Sequence, residues 1–152
     1  MAVRKFHRNR FNKSNTFLST KLILVREKKL IEINYAFLKC TISNNKLICF
    51  GHTKPTEYSK EYEFKVIYDG LSPPKVFVIK PDIVYNNDIH MFPKDNTLCL
   101  YHSKTDDFYW DNKKHHIHST IIPWTLEWFI YYELYMISGK WEHPYIDHRL
   151  TK

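Results

Sequence analysis

The sequence predicts an α+β domain, an antiparallel meander sheet packed on helices. Three observations carry this. Residues 61–68 alternate with period two, placing Tyr62, Phe64, Val66 and Tyr68 on one face. Turn signals at 43–45, 69–70 and 73–74 separate this run from similar neighbours by short connections, which implies antiparallel pairing. Apolar stretches with helical character then lie on either side, at 15–29 and 123–138.

At the N-terminus, residues 1–14 hold Arg4, Lys5, Arg8, Arg10 and Lys13 and no acid, so this arm carries most of the net charge of +7. Such an arm could touch nucleic acid or an acidic partner, a solubilising or interface arm is the favoured reading on charge pattern, and a mitochondrial transit peptide is a third. Residues 15–152 then form one domain, because 152 residues suffice for one core and no internal boundary is visible. With 11 Tyr, 10 Phe and 4 Trp the chain is too rich in large rings to remain disordered. No apolar run reaches the roughly 18 residues of a membrane span, and no apolar signal core opens the chain. Three Cys, an odd number, argue against a disulfide framework and for a reducing cytoplasm.

Residues 15–29 suit a helix capped by Asn15 or Thr16, with Phe17, Leu18, Leu22 and Val25 on its apolar face. The run 22–25 also suits a strand. Strands are expected at 36–42, 46–52, 61–68 and 76–80, with Ser43-Asn44-Asn45 as a hairpin turn and Pro81 as the end of the last. Cys40 and Cys49 fall inside the strand patterns and are expected to be structural. Residues 103–119 are polar and irregular. A helix follows, starting at Pro123 with Thr125 able to cap it and Glu127 near its N-terminal dipole. Gly139 is placed as the C′ residue. Its interior is apolar nearly all round, which predicts cover on both sides.

The chemistry points to residues 89–101, IHMFPKDNTLCLY. Pro93, Asp95 and Asn96 form turns, so Cys99 can be rigidly held and partly exposed, as a nucleophilic thiolate requires, the alternative being a buried structural cysteine. His102 lies three residues on, on the opposite face if the segment is extended; a turn would bring its ring near the thiol to lower its pKa or take a proton, and a solvated loop His is the equal alternative. At 113–118, His116 and His118 share one face of an extended segment. No Cys or carboxylate stands at zinc spacing around them, so no metal and no cofactor is expected.

This stretch, with PWTLEWFIYYELYMISGKW at 123–141, resembles the ubiquitin-conjugating enzymes. More closely it resembles the bacterial branch found in CBASS antiphage operons. The resemblance runs from about Leu47 onward, about two thirds of the chain. It implies the ubiquitin-conjugating-enzyme-like fold, with Cys99 as the active cysteine that forms a thioester. It implies that the donor is the C-terminus of a partner, a cGAS-like nucleotidyltransferase, and that the acceptor is a target lysine. It also implies a soluble cytoplasmic protein with no membrane partner; nucleic acid is not an expected one. His90 matches the His of the family's H-P-N motif, which braces the loop. Met91 and Phe92 stand where the Pro and Asn would follow, leaving Asn96 as the substitute for the missing Asn. Trp110 is the candidate for the family's Trp packed under the loop. With only 3 Gly and no glycine-rich phosphate loop, the chain shows no activating ATP site, as expected in a short type II CBASS system.

Overall fold

The computed structural model describes residues 6–143, with side chains from Leu18 onward. Residues 1–5 of the basic arm, and the side chains of all of it, lie outside the described residues. The order is α1 (Phe6–Asn34), β1 (Leu38–Ser43), β2 (Lys46–Thr53), β3 (Tyr62–Tyr68), β4 (Lys75–Lys80), a single 3₁₀ turn (Ile117–Ser119) and α2 (Ile121–Ser138). The four strands form one antiparallel sheet in the order β1-β2-β3-β4. The expected α+β meander is thus present.

Helix α1 starts at Phe6, so Asn15 and Thr16 lie inside it and not at its start. Its helical backbone continues into the stretch expected to be a separate arm. The expected apolar face is also corrected. Leu18, Leu22 and Val25 are 58%, 70% and 50% exposed, whereas Ile23, Leu24, Glu27 and Ile31 are buried. A buried acid belongs to that face because its oxygens are satisfied. Glu27 Oε2 accepts from the Ile117 N–H at 2.9 Å. Its Oε1 lies 2.8 Å from His116 Nδ1 and accepts from Arg26 Nη2 at 2.9 Å. Buried carboxylates survive only with such partners.

The sheet follows its sequence closely. Ser43 pairs with Lys46, and the two residues between them, Asn44 and Asn45, have φ of 49° and 58°. Positive φ at both central positions is the hairpin geometry whose twist matches the strands, and Asn tolerates it. Cys40 and Cys49 face each other in this pair, and their sulfurs form a disulfide. The expectation that no cysteines pair is therefore corrected: antiparallel register puts residues nine apart directly opposite. Along β3, Tyr62, Phe64, Val66 and Tyr68 are buried as the alternation predicts. Gly51 pairs with Phe64, and a Cβ there would fall 2.6 Å from the Phe64 ring, so glycine is what lets the ring seat. After β3, Asp69 Oδ1 accepts from the Leu71 and Ser72 N–H groups, and Gly70 takes φ 86°.

Helix α2 begins at Ile121, before the expected start, with Thr120 at its N-cap. Pro123 fits within this first turn, where no N–H has a partner inside the helix. Thr125 does not cap; it lies within the helix, and its Oγ1 donates to the Ile121 carbonyl at 2.7 Å. Gly139 ends the helix in the left-handed region at φ 72°, as expected. One face of α2 is buried, not all of it: Ile121, Ile122, Thr125, Trp128 and Phe129 point inward while Met136 and Ile137 are exposed. Phe129 stacks on Tyr62 at 4.1 Å and meets Phe64 edge-on, so α2 seats on the buried face of β3.

Candidate functional site

Cys99 sits on a small hairpin whose two arms are 90–92 and 97–99. Met91 and Leu98 bridge, the Cys99 N–H donates to the His90 carbonyl at 3.1 Å, and the Phe92 N–H donates to Thr97. Asn96 makes the turn with φ 56°, and its N–H donates to the Phe92 carbonyl. The hairpin is tied to the sheet at two places. The Leu98 N–H donates to the Val76 carbonyl, and Lys75 Nζ meets Asp95 Oδ2 at 2.6 Å. The Lys75 contact, then the bond from the Thr97 hydroxyl, hold the Asp95 carboxyl down at about 2.

The other side of the hairpin faces α2. Trp128 Nε1 donates to the same His90 carbonyl at 2.8 Å, so one oxygen joins the Cys99 amide to the helix. A pocket of about 20 Å³ remains between them, the room of about one water. Its wall includes His90 and Cys99 from the hairpin, Trp124, Glu127, Trp128 and Tyr131 from α2, and Trp141 and His143 from the chain after α2. Trp141 packs on Trp128 at 5.4 Å, and its buried Nε1 has no hydrogen-bond partner among the described residues. His143 meets the Tyr131 ring edge-on at 4.6 Å, and its Nε2 is 3.7 Å from Glu127 Oε1.

This enclosure corrects the expected exposure of Cys99, which is 1% exposed. The turn does hold the residue rigidly, but the aromatic rings of α2 and Trp141 close over it. Burial pushes the thiol up to about 12, and the nearby Asp106 carboxylate adds to the rise. Sγ lies 3.5 Å from the Tyr101 carbonyl. Cys99 is the free cysteine of the three.

The other expected site residues divide. His90 is joined to Cys99 through the main chain. His102 does not line the pocket; its Nδ1 is 3.1 Å from Thr105 Oγ1, and its N–H donates to Asp106 Oδ2 at 2.7 Å. A local turn takes the ring, so the acid of that turn is what acts on the thiol. Asn96 serves as a left-handed turn residue, exposed and outside the pocket wall. Trp110 packs edge-on against Tyr68 at 5.6 Å and donates to its hydroxyl, so Trp124, Trp128 and Trp141 line the pocket in its place. His116 is engaged by Glu27, and no cluster able to hold a metal occurs among the described residues.

The sequence reading missed Glu127, Tyr131, Trp141 and His143 as neighbours of Cys99. A signal existed for part of this. Trp124, Glu127, Trp128 and Tyr131 recur at i, i+3, i+4 and i+7, one helical face with an acid set among rings. A wider groove of about 420 Å³ is lined by Leu98, Leu100, Tyr101, Pro73, Pro74 and Phe92, with Lys94 and the Lys75–Asp95 pair also in its wall.

No helix among the described residues is long and apolar enough to cross a membrane. The model of one protein family, described as type II CBASS E2 protein, matches residues 27–149. No curated protein sequence matches the chain.

Proposed function

We propose that this chain, which belongs to the family of type II CBASS E2 proteins, uses Cys99 as a covalent acyl carrier in antiphage defence. The Cys99 thiolate attacks an activated acyl group at the C-terminus of a cGAS-like nucleotidyltransferase. The activating group leaves, and a thioester forms. A lysine amine of the target then attacks the thioester carbon, the amide forms, and the thiol is released. A thioester suits this relay because sulfur is both a good nucleophile at neutral pH and a good leaving group toward amines. The setting is a short type II CBASS system, in which activation comes from outside this chain.

The observation that carries this reading is that Cys99 is the free thiol and sits on a hairpin fixed by main-chain bonds to His90 and β4. The groove beside Leu98 and Leu100 suits an extended tail: its wall is mainly apolar, and Lys94 lines it as a cation able to meet an acidic residue of that tail, Lys75 being paired with Asp95. Asn96 N–H and its neighbours belong to the turn, so the role of the missing H-P-N asparagine falls to other donors near Cys99.

A second reading, a non-catalytic scaffold that only holds the partner, is favoured by the closed state of Cys99. Cysteine variants mixed with activated donor and partner separate the two, read by intact mass with and without reductant and hydroxylamine. Wild type is expected to give an adduct cleaved by hydroxylamine. Cys99→Ser gives a slower-forming adduct that resists reductant, and Cys99→Ala gives none. An adduct on Cys99→Ala eliminates the assignment; no adduct in any variant leaves the scaffold.

A further inference from the structure

A thiol enclosed in a small pocket needs an acceptor for its proton before it can attack. The charged and titratable groups around Cys99 come from four places. The hairpin brings His90, the segment after it brings Tyr101 and Asp106, α2 brings Glu127 and Tyr131, and the chain beyond α2 brings His143. Asp106 is negative and opposes thiolate formation. His143 differs from His90 in standing next to a carboxylate of the same pocket wall: its Nε2 is 3.7 Å from Glu127 Oε1. Cys, His and Glu thus share a space of about one water.

We propose that His143 is the proton acceptor for the Cys99 thiol and that Glu127 is the positioning residue that holds its ring and stabilises the imidazolium. The Sγ–H bond breaks, the proton passes to a ring nitrogen of His143, and the electron pair stays on sulfur as the thiolate. The positive ring is then balanced by Glu127, and the negative sulfur shares the same small pocket with it, which has room for little water to solvate either charge. Gly139 sets up this arrangement. Its left-handed turn ends α2 and sends the chain back so that Trp141 lands on Trp128 and His143 on Tyr131. The assignment rests on Cys99 being the reacting thiol, but not on any particular acyl donor.

The test is the pH profile of Cys99 alkylation by iodoacetamide in the full chain, from pH 6 to 10.5. It needs no partner: the S–C bond forms and iodide leaves. His143→Gln is expected to slow alkylation at pH 7 by about a hundredfold, the lower end of the usual contribution of a general base. The difference closes near the top of the range, where hydroxide takes the proton. Glu127→Gln gives a smaller loss of the same shape. Thermal melts show that the fold is kept. Four results overturn the proposal: a profile unchanged in His143→Gln; a loss equal at every pH, which marks altered packing; faster alkylation, which makes the ring a mere cover; or a loss in His90→Gln alone. The alkylation pattern supports the assignment whether or not an acyl adduct is ever obtained, so its failure and that of the thioester reading are separable.

Discussion

Asp95 shows how single residues hold the hairpin in place. Its carboxyl is pulled below the ordinary carboxylate range first by Lys75 and then by Thr97. A depressed carboxyl contributes stability that is fully present above its unfolded value, roughly 3.9, and is lost as pH falls through its folded value. The stability difference between wild type and Asp95→Asn is therefore expected to be constant above about pH 5 and to shrink as pH approaches about 2. Melts across that range check it, and a difference that stays constant down to pH 2 would refute the role. Cys99 is the opposite case. Burial raises its pKa, so the protonated thiol is the form the folded chain favours at neutral pH. Residues of this kind explain what was legible at the site. Cys99 and His90 were marked by local order, a His, a turn and a Cys between leucines. His143 and Trp141 were not, because their approach depends on how α2 lies against the hairpin, and no spacing along the chain encodes that.

Among the elements, the sheet was legible and the inner face of α1 was not. Strand β3 alternates in chemistry as it alternates in space, and two Asn in a two-residue loop leave one good turn. Helix α1 carries two apolar stripes. The buried one is interrupted by Glu27, which any hydropathy reading assigns to solvent, so the sequence favoured the stripe of Leu18, Leu22 and Val25. The distinction is measurable. Leu22→Lys, at a position 70% exposed, is expected to change stability by less than about 0.5 kcal/mol. Leu24→Ala, at a buried position, costs about 2 to 5 kcal/mol. Denaturant titration of both variants checks this, and a larger loss for Leu22→Lys would return the helix to the orientation read from sequence.

Across the whole molecule, two carboxylates fasten the two helices to what lies beneath them. Glu27 holds α1 to the 112–118 segment through His116 and Ile117, with Arg26 Nη2 also reaching the Asn112 carbonyl at 2.9 Å. Glu133 holds α2 to the β2–β3 link, accepting from Ser59, the Lys60 N–H and Tyr62 at 2.9 to 3.1 Å. Because Glu27 is fully buried, Glu27→Ala leaves donors without acceptors and is expected to cost roughly 3 kcal/mol. For a chain of this size that is a drop of roughly 10 °C in Tm. Glu27→Gln, which keeps one acceptor oxygen, is expected to lose less. A loss below about 1 kcal/mol for Glu27→Ala would show the clamp to be dispensable.

The closed pocket over Cys99 has one more effect. Peroxides oxidise thiolates that they can reach, and a protonated sulfur under three tryptophan rings offers them little. The resting protein therefore keeps its sulfur reduced without any second cysteine to rescue it. Closure also governs recognition. On the proposed acyl-carrier reading, a donor tail meets the sulfur only in the fraction of molecules that have opened, and its apparent Kd is weakened by that fraction. On that reading, tails that bind too weakly to hold the pocket open would dissociate before any bond to sulfur forms.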